Sequence, residues 1–440
     1  MSKRVSDILA IDKRHIWHPF TQHATERDPV VITRARGASL FDEEGKEILD
    51  LISSWWTCIH GHAHPDIVRA VSEQARTMEH VMFAGFTHPP AARIAKALAD
   101  LLPGSLNRVF FTDNGSTAVE VALKIAFQYH RNAGDGKRTG FLAFEGGYHG
   151  DTLGAMSVGK GSSFFSLFED LMCEVHTTPY APTWEGDSDI EAREEAALAA
   201  LDSLLDAKGA TLAALILEPL MQGAAGFRLA RPQFIRAVSA RARAAGLLVI
   251  YDEVATGFGR TGSMFACEQV GFVPDIMCLA KGLTAGALPM SVTVARDEIY
   301  DAFLSESFAT ALAHGHTFTA NPLACAAASA SLDIFTRERS LERVREIEAH
   351  HKGALSRLSA HPRVERARAL GSVLAFELSG AQGHYKTDDG ERLRDWYLNH
   401  GFNIRPLGPT VYLMPPYCIT DAELERAYDG VIAGLDALGD

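Results

Sequence analysis

This sequence has no cysteine pattern that would staple a fold. Its six cysteines are scattered at positions 58, 173, 267, 278, 325 and 418 without a C-x-x-C pair, which suits reduced thiols better than a disulfide frame. Positive charge is also short. Lys and Arg number 42 against 55 Asp and Glu, and the resulting net charge of -13 argues against a nucleic-acid partner. The opening stretch "MSKRVSDILAIDKRHIWHPF" lacks an apolar h-region and a small-residue cleavage site, so secretion is not expected. The one long stretch free of Asp, Glu, Lys and Arg, Ser307 to Leu332, is mostly Ala, Ser and Thr. It also carries His314, Asn321 and Pro322, which excludes a transmembrane helix there. No repeat or low-complexity segment is present. A cytoplasmic protein with neither a membrane nor a nucleic-acid partner is the expectation.

What is present is an ordinary globular composition, 47% apolar and 22% charged, in a chain of 440 residues that can form two or more packed units. Seven short apolar, β-branched or aromatic runs recur: "RVFFT" at 108, "GFLAFE" at 140, "CEVHTTPY" at 173, "LAALILEP" at 212, "LLVIYDE" at 247, "IMCLAK" at 276 and "MSVTVA" at 290. Most are apolar on both faces, as a mainly parallel sheet between helices requires. Helical patterns such as "STAVEVALKIAFQYHR" and "SDIEAREEAALAALDSLLDAKG" separate them. This alternation predicts a large α/β domain over residues 61–330. At the N-terminal end, "ASLFDEEGKEILDL" predicts a hairpin around Glu44-Gly45. After Arg337 come a charged helix, strands in "SVLAFELS" and "TVYLMPP", and a last helix from Asp421, while "YKTDDGERLR" reads as a solvated loop or helix start. These features predict a smaller α+β domain over 331–440, joined by the N-terminal segment 1–60.

Within "PDIMCLAKGLTAG", Lys281 closes what reads as a buried strand, where an unpaired ammonium is costly. In an open parallel sheet, ligands collect at the C-terminal strand ends. Asp252 and Glu253 end the run "LLVIYDE", so at least one carboxylate is expected there too. A lysine and an acid so placed fit a pyridoxal phosphate site. Lys281 would form a Schiff base with the cofactor aldehyde, and Asp252 would pair with the protonated pyridine nitrogen. Desolvation favours the neutral, nucleophilic amine. An isolated pair of this kind is more often a plain salt bridge.

Three stretches change that balance. "FFTDNGSTAVEVALKIA" is a strand, an Asn114-Gly115 turn, and a helix opened by Ser116 and Thr117; it can be a phosphate seat or an ordinary cap. "LAFEGGYHGDTLGAMS" holds Tyr148 in a glycine loop, where its ring can lie on a flat cofactor or serve as a turn tyrosine. "HGHTFTANPLACAAA" places Thr317 before a small-residue helix, as a phosphate donor or a loop hydroxyl.

Taken in order, N-G-S, Y-H-G, "DEVATGFGRTG", "AKG" and "HGHTFTANP" resemble the class III, fold type I, pyridoxal-phosphate aminotransferases over nearly the whole chain. The resemblance implies Lys281 as the cofactor-bound lysine, Asp252 on the pyridine nitrogen and Tyr148 stacked on the ring. It also implies Gly115 and Ser116 on the phosphate from one subunit, and His316 and Thr317 from the other, in a homodimer. "HIWHPFTQ" and "SSWWTCIHGHAHP" further resemble the branch that aminates 8-amino-7-oxononanoate to 7,8-diaminononanoate in biotin synthesis. For that branch, Trp55 and the backbone of Gly315 would meet substrate, and Arg405 would bind its carboxylate, since a guanidinium fork matches that group. Tyr148 and Lys281 would touch substrate as well. Phe20 stands where many members carry tyrosine, so a hydroxyl contact is lost there. The implied amino donor is S-adenosylmethionine, with lysine used by some relatives. Another ω-aminotransferase acting on a diamine or ω-amino acid, or a non-catalytic cofactor-binding protein, is the alternative.

Two patterns are set aside. "GFGRTG" at 257–262 matches G-x-G-x-x-G, but "EVAT" separates it from the strand, so a substrate-side loop is expected, with Arg260 meeting substrate or an acid. His60, His62 and His64 in "HGHAHP" have no further ligands evident nearby, and no metal site is expected.

Overall fold

The seven apolar runs become seven strands of one sheet: β1 (Leu106–Thr112), β2 (Gly140–Phe144), β3 (Val175–Thr178), β4 (Leu212–Leu217), β5 (Leu248–Asp252), β6 (Ile276–Leu279) and β7 (Ser291–Arg296). They belong to a computed structural model that describes residues 3–160, 165–381 and 386–439. Across the sheet the order is β1, β7, β6, β5, β4, β2, β3. Only β7 runs against its neighbours, pairing antiparallel with both β6 and β1. The other pairings are parallel. Every residue of β4 and β6 is buried, which explains why these runs show no polar alternation.

Helices cover both faces. Gly115–Asn132 buries Ala118, Val119, Ala122, Ile125 and Ala126, the helical repeat that places one stripe on the sheet. The stretch Ser307–Leu332 ends in the helix Pro322–Arg337, packed into the protein through Ala324, Ala328, Leu332 and Phe335. Among the described residues no helix is long and apolar enough to cross a membrane.

The expected hairpin forms between Ser39–Asp42 and Glu47–Asp50. Gly45 turns at φ +83°, and Asp42 Oδ1 accepts from the N–H groups of Glu44 and Lys46. A short strand from the far end of the chain, Phe402–Asn403, pairs parallel to Leu49–Asp50. The strands Val373–Leu378 and Thr410–Leu413 and the last helix Asp421–Ala437 also match expectation. Three elements carried no clear pattern: the N-terminal helix Lys3–His15, the edge strand Ile32–Arg36 and the strand Val364–Leu370. Ile32–Arg36 is exposed along nearly its whole length, so no apolar alternation marked it. "YKTDDGERLR" is a helix start, capped by Thr387 and helical from Asp388; Tyr385 lies outside the described residues.

Candidate active site

The C-terminal ends of β1, β2, β4, β5 and β6 open into a cavity of about 610 Å³. Five predicted site residues line it: Lys281, Asp252, Tyr148, Gly115 and Ser116. Lys281 follows β6 in a short turn at φ 37°, a left-handed conformation that a non-glycine residue adopts only when its surroundings impose it. Burial lowers its pKa, against the raising fields of Asp252 and Glu218. Its Nζ lies 5.1 Å from the Trp56 ring centroid. Among the described residues it forms no ion pair with Asp252, so the plain salt bridge is not what holds it.

Asp252 and Glu253 part company because successive side chains of a strand point to opposite faces. Asp252 lines the cavity, whereas the Glu253 carboxylate accepts from the N–H groups of Ala266 and Cys267 on the other side. His149 Nδ1 donates to Asp252 Oδ2 at 2.7 Å, and Val254 N donates to Oδ1 at 3.0 Å. The imidazole and the amide fix the carboxylate's plane. His149 Nε2 is buried without a hydrogen-bond partner among the described residues.

At the start of the helix Gly115–Asn132, Asn114 Oδ1 accepts from Thr117 N, and the Thr117 hydroxyl accepts from Asn114 N. The ordinary cap therefore exists. It serves the third amide and leaves those of Gly115 and Ser116 at the first two positions, where a helix supplies no acceptor. Ser116 Oγ lies 2.7 Å from Thr152 Oγ1 and accepts from Thr152 N. Gly150, at φ +120°, permits this approach: a Cβ there would stand 2.7 Å from Ser116 Cα. The cap therefore leaves this helix end able to accept an anion.

Tyr148 stacks its ring on Phe165 at 15° and 5.8 Å, and its hydroxyl donates to Asp151 at 3.1 Å. Burial, and then the Asp151 charge, push its pKa upward. Its N–H donates to Glu218, a buried acid that burial pushes up to about 7.

Phe20, Trp55 and Arg405 form a second cluster outside this lining. The Arg405 guanidinium lies 5.1 Å from the Trp55 ring centroid, and the Phe20 ring meets Trp55 edge-on at 5.8 Å. The tryptophan that lines the cavity is Trp56. Both come from a left-handed turn in which Ser53, Ser54, Trp55 and Trp56 have φ of 48°, 44°, 70° and 76°. Such a turn costs about 1–2 kcal/mol per residue and needs external support. Ser53 Oγ donates to Met414 O, and Ser54 Oγ to the fully buried Asp50. Asp50 also accepts from Asn403 and pairs with His62 at 2.8 Å. Arg260 meets neither an acid nor the cavity. Fully buried, it donates to the carbonyls of Trp56 and Pro415 and clamps the turn.

Gly315 and Thr317 are exposed, away from the cavity. The His316 ring turns to its own chain, where Nδ1 lies 2.7 Å from Oδ2 of Asp113, a cavity-lining acid. In "HGHAHP", His60 is buried against Ser331, His62 pairs with Asp50 and His64 with Glu338. His64, Asp66 and Glu338 approach one another within 4.8 Å, but Arg69 and Arg337 pair with Asp66.

Sequence reasoning missed His149, Glu218, Trp56 and Asp113. Glu218 was findable, since it ends "LAALILEP" as Asp252 ends "LLVIYDE". His149 gave no signal beyond its place beside Tyr148.

An ammonium and a carboxylate that face one cavity without pairing, beside neutral N–H donors and a flanking aromatic ring, fit pyridoxal phosphate: amine for aldehyde, acid for pyridine nitrogen, amides for phosphate. The family model "Aminotransferase class-III" matches residues 21–434. A Synechococcus elongatus protein named adenosylmethionine-8-amino-7-oxononanoate aminotransferase is 50% identical over 424 residues, 96% of this chain and 99% of its own. A Geobacter sulfurreducens protein of the same name is 39% identical, covering 96% and 95%. The crystal structure of the enzyme so named from Methanocaldococcus jannaschii superposes with a TM-score of 0.92 at 34% identity, over 98% of this chain and 99% of that one. An (S)-enantioselective omega-transaminase from Thermomicrobium roseum gives 0.94 at 30% identity, over 100% of each chain.

Proposed function

This chain belongs to the class III aminotransferase family and uses its cofactor, pyridoxal phosphate, and we propose from that membership that it aminates 8-amino-7-oxononanoate to 7,8-diaminononanoate in biotin synthesis, with S-adenosylmethionine as amino donor. One observation carries the chemistry: Lys281 and Asp252 face the same cavity without pairing to each other. The names of the curated relatives support the substrate, and favour it over another ω-aminotransferase.

When bound, pyridoxal phosphate supplies an aldehyde and an electron-withdrawing ring that acidifies the carbon bearing the amine. Lys281 Nζ would hold the aldehyde, and its amine, when free, would serve as the general base and acid that moves a proton between neighbouring positions. Burial lowers its pKa, the direction that a base requires. Asp252, oriented by His149, holds the proton on the pyridine nitrogen. The Tyr148 ring would cover one face and exclude water, and the Gly115 and Ser116 amides with Thr152 would hold the phosphate. Trp56 walls the side nearest Lys281. Arg405 would meet the acceptor's carboxylate at the outer cluster, with Trp55 and Phe20 along its chain.

The chain would work as a homodimer in the cytoplasm. Thr317 and the main chain around His316 would reach the partner's phosphate seat, in keeping with the exposure of Thr317 and of Phe318 next to it in the chain. The test is to incubate purified protein with 8-amino-7-oxononanoate and either S-adenosylmethionine or lysine, and to follow 7,8-diaminononanoate by mass spectrometry. Product with S-adenosylmethionine supports the full reading. Product with lysine alone reassigns the donor, and none with either sinks the substrate.

A further inference from the structure

Asp113 poses a difficulty for an anion seat. It directly precedes Asn114, Gly115 and Ser116 and lines the same cavity, so a bare carboxylate there would repel a phosphate dianion. The structure supplies a chain of contacts that answers it. Lys124, on the helix that begins at Gly115, places Nζ 3.0 Å from His314 Nδ1. His314 Nε2 lies 2.9 Å from His316 Nε2, and His316 Nδ1 lies 2.7 Å from Asp113 Oδ2.

The direction of all three bonds is forced. An ammonium only donates, so His314 accepts at Nδ1 and, when neutral, carries its proton on Nε2. That proton goes to His316 Nε2, which leaves the His316 proton on Nδ1, directed at Asp113. Every dipole in the chain then points its positive end toward the carboxylate. Protonating either ring breaks the order, because two N–H groups would face each other or one would face the ammonium. Burial, and then the Lys124 and His316 fields, hold the His314 pKa below its ordinary value. The loop itself is fixed. Gln128 Nε2 donates to the carbonyls of Thr310 and Ala311, Asn132 Nδ2 to Thr310 O, and His316 N to Thr319 Oγ1.

We propose that Lys124, His314 and His316 are positioning residues that draw the Asp113 charge away from the cavity and so let the Gly115–Ser116 helix start accept a phosphate monoester. The proposal rests on reading the cavity as a cofactor seat. It gives His316 a role within its own chain, toward its own seat.

The test measures dissociation constants of the cofactor-stripped, full-length chain for pyridoxal phosphate and for pyridoxal, which shares everything but the phosphate. His316→Phe should weaken pyridoxal phosphate about tenfold and Lys124→Met by a few fold, with pyridoxal unchanged. Adding Asp113→Asn to His316→Phe should restore most of the loss, because the unscreened charge is then gone. Equal weakening of both ligands, or no rescue by Asp113→Asn, overturns the proposal and leaves the cofactor reading standing. Failure of the unaltered chain to bind pyridoxal phosphate removes both. Lys124 is exposed and does not line the cavity, so its variant covers the case in which His316→Phe does not fold. Nitrogen NMR of labelled histidines gives an independent readout: protons on His314 Nε2 and His316 Nδ1 are expected, and the opposite tautomers overturn the scheme.

Discussion

On the cavity floor, Asp252 ends a strand of the large sheet, and Lys281 and the Gly115–Ser116 turn come shortly after two others, so the fold places all of them close to a strand end. On the rim, Phe20, Trp55 and Arg405 come from opposite ends of the chain and meet through a strained turn and a two-residue strand pair. The floor is held by the sheet that carries it. The rim is held by side chains reaching in from elsewhere: Asp50, Arg260 and Ser53. On the proposed reading, chemistry would sit on the part held by the sheet, and substrate choice on the part that depends on distant contacts.

Mutations at the two regions should fail differently. Lys281→Ala should lower turnover by about 10³-fold or more, without loss of fold, since Lys281 supplies the one amine among the described residues that line the cavity. Single-turnover mixing with donor checks this, and a near-native rate would remove the mechanism. Asp252→Asn should cost about 10²–10³-fold in kcat by removing a preorganised charge, with KM moving less; the steady-state split between kcat and KM decides it. On the rim, Asp50→Ala removes a fully buried carboxylate and its contacts with His62, Asn403 and Ser54. It should destabilise by about 3–5 kcal/mol, read as a lowered urea midpoint at unchanged slope.

A pH experiment sharpens the same point. Burial opposes protonation of His62, but its hydrogen bonds to Asp50 and Cys58 prevail and raise its pKa to about 9. A raised folded-state pKa gives stability that is complete below the unfolded value near 6.5 and fades as pH rises through about 9. After discounting for screening, roughly 1–2 kcal/mol should disappear between pH 6.5 and 9.5. Urea midpoints across that window should fall in the unaltered chain, and His62→Gln should flatten this part of the fall. The smallest effect belongs to Phe20→Tyr. A regained hydroxyl contact should change the KM of one substrate about three- to tenfold and leave kcat alone.

The same contrast explains what could be read in advance. All seven strands of the large sheet were visible, because a strand buried on both faces writes an unbroken apolar run into the sequence. Lys281 and Asp252 were visible because a charge ending such a run is conspicuous. The N-terminal helix and the strand Ile32–Arg36 were not, because exposed elements leave no periodic apolar stripe. Trp56 could not be told from Trp55: which of two adjacent indoles faces the cavity depends on four positive φ angles, and those are set by Asp50, Met414 and Arg260 rather than by local propensity. Arg260 misled for a related reason, since its partners are carbonyls contributed by residues remote in sequence.

The pairing of Phe402–Asn403 with Leu49–Asp50 also bears on the order of events during synthesis. Synthesis delivers Leu49–Asp50 long before Phe402–Asn403, the strand that completes their sheet. The large sheet can assemble on the emerging chain, whereas the hairpin of Ser39–Asp42 and Glu47–Asp50 must wait beside it, one edge open, until Phe402–Asn403 emerge.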